Sequence, residues 1–144
     1  CLLPNNFHLL LKQNVDNGIS QFMQRIGTSY TKFFNQEESR SGSIFQGKFK
    51  ATHLSSDFAL PTVSVYVNLN YKYHQVDVKK NLVKSSVFEY LDTEIGSRIC
   101  DTTEISNIIA EVGNLSDYKT YIKQVSISFA DNKGNLVNMS DFEF

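Results

Sequence analysis

The sequence has few cysteines, few prolines and no long apolar run, and each shortage excludes a class of protein. Its two cysteines, Cys1 and Cys100, cannot build a disulfide framework, so we expect a reducing, cytoplasmic setting. The longest apolar candidate, residues 9–11, is far shorter than the roughly 18 residues that a membrane span needs, so we predict no membrane partner. No Gly-rich phosphate loop, paired-cysteine zinc spacing or Gly-x-Ser-x-Gly motif occurs either.

The 144 residues are 41% hydrophobic and 20% charged, which is typical of a soluble chain that can bury a core. Their charge is unevenly distributed. Residues 1–84 hold ten Lys and Arg against five Asp and Glu, whereas residues 85–144 hold four against ten. This asymmetry predicts that the first part meets a polyanion, and we divide the chain into a domain at 1–84 and an acidic, mainly helical extension at 85–144.

Hydrophobic periodicity predicts the elements of the first part. Residues 6–12 read as a buried strand, on which the period of two places Asn6 and His8 on one face. Residues 18–35 follow a 3.6-residue period and predict an amphipathic helix. Residues 43–50 alternate and predict a strand with an aromatic face, on which we expect Phe45 and Phe49 to join the core.

Two further regions are read from the same patterns. Alternating valines at residues 63–67 favour a strand, although the helix-capping residues before them favour a helix, so residues 55–73 stay ambiguous on local grounds. Residues 103–112 and 115–125 predict two short helices, separated by Gly113 and Asn114.

Several segments occur in the order and spacing of a known family. They are residues 4–10 (PNNFHLL), 22–25 (FMQR), 28–32 (TSYTK), 41–50 (SGSIFQGKFK), 66–70 (YVNLN) and 85–90 (SSVFEY). Together they cover most of residues 1–90 and resemble the HUH single-tyrosine transposases, especially the REP-associated tyrosine transposases. Asn6 stands where the family has the first histidine of its signature, and Tyr71 replaces the usual proline after Asn70.

The resemblance implies a catalytic site. Tyr66 would be the nucleophile that attacks a DNA phosphate, and His8, Asn70 and Asn6 would hold Mg²⁺ or Mn²⁺. The family's tyrosine lies on a helix, so the resemblance also favours a helix over residues 55–73. On a helix Tyr66 and Asn70 are one turn apart and can face one ion.

The resemblance further implies a fold and a substrate. We expect an α+β, ferredoxin-like antiparallel sheet with helices on one face, N-terminally incomplete, followed by a small helical tail. The implied activity is cutting and rejoining single-stranded or hairpin DNA through a 5′-phosphotyrosine, and a homodimer is compatible with it. Six polar side chains are expected to contact the DNA: Arg25, Lys32, Arg40, Gln46, Lys48 and Lys50.

Two alternatives remain open at this stage. A catalytically impaired relative would still bind hairpin or single-stranded DNA through its basic half. An RNA-binding adaptor with a ferredoxin-like fold and no metal is the third possibility. The substitution of the first histidine by Asn6 is the sequence feature that keeps the binding-only alternative open, because a neutral amide binds softer ions less well than imidazole does.

Overall fold

The computed structural model describes residues 1–54, 60–76, 83–92 and 99–131, with the side chains of 129–131 excepted. The described residues form six helices: α1 Gly18–Glu37, α2 Leu60–Asn68, α3 Asn70–Tyr73, α4 Val87–Leu91, α5 Thr102–Val112 and α6 Leu115–Asp131. Contacts divide the chain into two units, residues 11–52 and the described residues of 1–10 and 53–131. None of the described helices is long and apolar enough to cross a membrane.

The ferredoxin-like sheet prediction is wrong, because the described residues contain no sheet. Their β pairing consists of two isolated antiparallel bridges, from Leu2 to Phe7 and from Leu2 to Lys84. Residues 6–8 of the predicted strand instead close a tight return of the chain that bends at residues 4–5, and residues 9–12 have no regular secondary structure. A strand is stable only when its backbone groups pair with a neighbour, and the bridge of Phe7 is to Leu2, only five residues earlier in the chain.

The predicted strand at 43–50 is also absent, since these described residues form successive bends. Phe45 and Phe49 are exposed at 37% and 42% of their surface, so the expectation that they join the core is wrong. They belong to the unit of residues 11–52, in which no residue of α1 is fully buried. Phe45 lies beside Gly27 and Tyr30 of α1, which is one of the apolar contacts within this unit.

The helix predictions are confirmed. The amphipathic pattern at 18–35 corresponds to α1, and the two patterns near the C-terminus correspond to α5 and α6. The described part of the ambiguous segment, residues 60–73, is helical as α2 and α3 except at Leu69, and its predicted capping residues at 55–57 lie outside the described residues. The alternating valines of this segment favoured a strand on local grounds. They are compatible with α2 because this helix is buried on most of its surface, and a helix that is buried all round carries apolar residues on every face.

One hydrophobic core lies in the unit of residues 1–10 and 53–131. Helices α2, α4, α5 and α6 contribute to it, and its buried members are Val65, Tyr66, Leu69, Val87, Tyr90, Ile105, Ile108, Ile109, Tyr118 and Ile122. The C-terminal helices are therefore part of this core and do not form a separate tail. Helices from both sides of the predicted 84/85 boundary pack together in it.

Candidate functional site

Tyr66 lies in the middle of α2 with only 2% of its surface exposed. Hydroxyl pairs attach this helix to α6. The Ser64 and Tyr118 hydroxyl oxygens are 2.7 Å apart, and Thr62 pairs with the Tyr121 hydroxyl. Because Ser64 and Tyr118 are both fully buried, their hydrogen bond strongly restricts how α2 can lie against α6. The ring of Tyr66 is therefore held in a well-defined position.

His8 reaches Tyr66 from the N-terminal turn of the chain. A reciprocal pair of bonds fixes this turn: the backbone N–H of His8 donates to the Cys1 carbonyl oxygen at 2.9 Å, and the Cys1 nitrogen donates to the His8 carbonyl oxygen at 2.8 Å. The imidazole then meets the Tyr66 ring edge-on, with ring centres 5.9 Å apart. Two predicted site residues from distant parts of the sequence are thus in contact.

Asn70 follows Tyr66 by one helical turn and begins α3. Its side chain is fully buried, and neither the amide oxygen nor the amide nitrogen has a hydrogen-bond partner in the described part of the chain. Buried polar side chains are usually paired, so an exception of this kind calls for a physical explanation. An amide oxygen with no donor is an acceptor available to a cation.

Asn6 differs from the other three predicted site residues because it is exposed. The backbone carbonyl oxygen of Asn6 accepts a hydrogen bond from the Leu3 backbone N–H at 2.9 Å, within the tight return at the start of the given sequence. Asn6 and His8 share a face only where the backbone between them is extended. With a turn in its place, alternation no longer puts Asn6 on the His8 side.

His74, which is absent from the predicted site, also lies beside His8. This exposed residue caps the end of α3, and its ring stacks on that of His8 with centres 6.5 Å apart and an interplanar angle of 24°. Tyr73 also joins the group, with its ring 5.6 Å from Tyr66 and 5.1 Å from His74. The sequence carries a spacing of four residues from Tyr66 to Asn70 to His74, but the structure interrupts the helix at Leu69 and His74 follows the end of α3, so this spacing alone does not identify His74.

The donor atoms of His8 and Asn70 are of types that bind divalent cations. The described residues include no group of three or more His, Cys, Asp or Glu that could hold a metal, so the ligands here would be neutral imidazoles and amides. The desolvated Asn70 oxygen is a hard donor and the His8 imidazole a borderline one, a combination suited to Mn²⁺ better than to Mg²⁺. Without a carboxylate, we expect weak binding.

The six predicted DNA-binding side chains all lie in the unit of residues 11–52, and all are exposed: Arg25, Lys32, Arg40, Gln46, Lys48 and Lys50. The Arg40 guanidinium lies 5.7 Å from the centre of the Phe34 ring, a cation–π arrangement. Lys48 and Phe49 line a groove of about 590 Å³ together with Ser20, Met23 and Gln24. Sites that bind single-stranded nucleic acid combine cationic and aromatic side chains of these types.

Comparisons of the chain with protein-family models, with curated proteins and with solved structures return no match.

Proposed function

We propose that this protein cuts and rejoins single-stranded, hairpin-bearing DNA, with Tyr66 as the nucleophile. The observation that carries the proposal is the contact between His8 and Tyr66 at 5.9 Å, which joins the two motifs on which the family resemblance rests. The unpartnered amide of Asn70, one turn from Tyr66, supports it further. The exposed cations of the 11–52 unit would bind DNA phosphates.

The chemistry requires a phenol to attack a phosphodiester. The bond between the Tyr66 oxygen and phosphorus forms as the bond from phosphorus to the 3′ oxygen breaks, the phenol gives up its proton, and the leaving 3′ oxygen takes one up. A free phenol has a pKa near 10 and is a weak nucleophile at neutral pH. A Mg²⁺ or Mn²⁺ ion held by His8 and Asn70 would supply charge stabilisation at the phosphate. The reverse reaction rejoins the strand without ATP.

DNA binding without cleavage is the second candidate function, and the burial of Tyr66 favours it. With 2% of its surface exposed, the phenol must be uncovered before any phosphate can reach it. The exposed basic side chains of the 11–52 unit need no such change. The two candidates therefore differ in whether a covalent adduct forms, and they share the binding of hairpin DNA.

To test the proposal, the full chain is incubated with a labelled single-stranded DNA hairpin and Mn²⁺ or Mg²⁺, and the products are separated on a denaturing gel. The proposal predicts a protein–DNA adduct that Tyr66→Phe abolishes while hairpin binding persists. Tyr71 is a neighbouring half-buried tyrosine on α3. The Tyr71→Phe variant is therefore the matched control, and it is expected to form the adduct as the unaltered chain does. Binding without any adduct selects the second candidate, and tighter binding to an RNA hairpin of the same sequence contradicts both.

A further inference from the structure

The groove in the 11–52 unit is formed by one face of α1 and by the segment that follows this helix. Met23 and Gln24 come three and four residues after Ser20, so the three side chains lie on one face of α1. Lys48 and Phe49 complete the lining. The volume of about 590 Å³ lies within the roughly 300–1,000 Å³ that is typical of small-ligand sites, so the groove has room for a group the size of a nucleotide.

Contacts within the same unit hold the second segment against α1. The Asn35 side-chain amide donates a hydrogen bond to the Gly42 carbonyl oxygen at 2.9 Å. The ring of Phe45 then packs beside Tyr30, with ring centres 6.1 Å apart. The chain therefore leaves α1 from a defined position just before the two residues that line the groove, as is usual for binding sites that are largely formed before the ligand arrives.

The side chains of the groove combine apolar surface, one amide and one cation. Phe49 keeps 42% of its surface exposed, which leaves part of its ring accessible to a flat ligand. Met23 is half-buried, and its polarizable sulfur is of a type that packs well against aromatic rings. Gln24 offers both a donor and an acceptor, and Lys48 is the charged group among the described residues of the lining. A flat ring with a polar edge, attached to an anion, matches these groups.

We propose that this groove binds one unpaired nucleobase of a DNA strand, with Phe49 stacking on the base and Lys48 contacting the adjoining phosphate. Charge favours this ligand over an apolar peptide, because residues 11–52 contain six Lys and Arg against three Asp and Glu, a balance of +3. Stacking on aromatic side chains is a principal source of affinity for single strands. Phe49, Met23 and Gln24 are not among the six predicted DNA contacts.

A stacking groove distinguishes paired from unpaired DNA. A base inside a duplex already stacks on its neighbours and has no free face for Phe49, whereas a base in a single strand can leave the stack at low cost. Contacts from cations to phosphates do not make this distinction. The groove would therefore bind the unpaired flank of a hairpin and not its stem. This inference rests on the proposed function, from which it takes DNA as the ligand.

The test measures binding of the full chain by fluorescence anisotropy, in a metal chelator so that no cleavage occurs. One labelled probe is an oligodeoxythymidylate of about ten nucleotides, and the other is an abasic strand of the same length with the same phosphates. We expect the thymidylate strand to bind about tenfold more tightly than the abasic one. Phe49→Leu should remove most of this difference, and Phe49→Tyr, which keeps a ring, should preserve it. Equal losses for both probes in Phe49→Leu overturn the inference.

Phe22→Leu is the matched control, because Phe22 also has 42% of its surface exposed on α1 but is not among the side chains that line the groove. This variant should bind both probes as the unaltered chain does. Lys48→Gln should weaken both probes alike and make binding less dependent on salt, as expected when one phosphate contact is lost. An unchanged salt dependence overturns the role of Lys48.

The outcomes separate this inference from the proposed cleavage. Tyr66→Phe is expected to bind both probes normally, since it lies outside the 11–52 unit. A difference between probes that depends on Phe49, in a chain that forms no DNA adduct, overturns only the cleavage. An adduct that forms while Phe49→Leu has no effect on binding overturns only the groove. Tighter binding of an oligouridylate RNA than of the thymidylate strand overturns the assignment of DNA as the ligand.

Discussion

At the scale of single residues, the described part of the chain contains two buried asparagines with opposite surroundings. The Asn68 amide oxygen accepts from the Ser86 hydroxyl at 2.7 Å, and its backbone carbonyl accepts from the Ser85 hydroxyl at 2.6 Å. The Asn70 amide, two residues later, has no partner in the described part of the chain. A buried polar group without a partner costs about 1–3 kcal/mol of stability. The unpartnered amide of Asn70 therefore lowers the stability of the fold. Its proposed role as a metal ligand explains why a polar side chain occupies this buried position.

Replacing this amide by an apolar group of similar size should stabilise the protein. We expect Asn70→Leu to raise the free energy of unfolding by about 1–3 kcal/mol, because the uncompensated desolvation of the amide disappears. Urea denaturation in the absence of metal measures the change. The same variant should lose Mn²⁺ binding.

The matched control is Asn68→Leu, which removes an amide of equal size that has a partner. This change leaves the Ser86 hydroxyl without its acceptor and is expected to lower the free energy of unfolding by about 1–3 kcal/mol. If Asn70→Leu were destabilised to the same extent as Asn68→Leu, the Asn70 amide would have a bonding partner in solution, and the assignment of its oxygen as a free ligand would be wrong.

At the scale of the helices, local capping determines where α5 and α6 begin. An Asp101 carboxylate oxygen accepts from the backbone N–H groups of Thr103 and Glu104, at 2.9 and 3.2 Å. The Asn114 side chain accepts from the N–H groups at the start of α6, and Asp117 accepts in return from the Asn114 N–H at 3.1 Å. This reciprocal arrangement is a capping box. The two helices that carry much of the core thus have sequence-encoded starts.

Removal of the N-terminal cap of α5 should lower the stability of the fold. We expect Asp101→Ala to lower the free energy of unfolding by about 1 kcal/mol, because two backbone N–H groups lose their acceptor and a favourable charge at the helix N-terminus is lost. Thermal denaturation followed by circular dichroism measures the loss.

Glu111→Ala removes one acidic side chain from the exposed face near the other end of α5 and serves as the control. A negative charge near a helix C-terminus is unfavourable, so its removal is expected to leave stability unchanged or slightly higher. Equal losses in the two variants would mean that net charge, and not the cap, determines the effect.

At the scale of the whole core, tyrosine hydroxyls are buried among apolar side chains. Tyr90 and Tyr118 stack with ring centres 6.0 Å apart. Burial raises the pKa of Tyr90 from 10.0 to about 12, although its hydrogen bond to Asn68 opposes the shift, and burial also raises the pKa of Tyr118. The folded core therefore favours the neutral phenols. Ionisation of either ring would place a negative charge in an apolar environment.

Alkaline pH is accordingly expected to destabilise the fold. Above pH 10 the unfolded chain loses the Tyr90 proton while the folded chain retains it, so the free energy of unfolding falls as the pH rises from about 10 to about 12. Each pKa unit of difference corresponds to about 1.4 kcal/mol. Urea denaturation between pH 8 and 11 measures the decline, and Tyr90→Phe should make it shallower. An identical slope in that variant would contradict the raised pKa of Tyr90.

The sequence by itself determined the helices whose signals are local. The 3.6-residue period of α1 and the periodic segments of α5 and α6 predicted these elements, because amphipathic patterns and turn residues act through neighbours in the chain. The motifs also singled out His8, Tyr66 and Asn70. Local patterns could not decide between strand and helix for α2, since a helix buried on most sides carries no amphipathic period.

Only the tertiary structure decided the remaining points. The two predicted strands needed pairing partners that the described residues do not provide, so alternation alone was misleading there. The exposure of Asn6, the missing partner of Asn70 and the approach of His74 to His8 all depend on how the N-terminal return lies against α2 and α3. The physical reason is that burial and contact between distant segments are properties of packing, which one-dimensional periodicity does not specify.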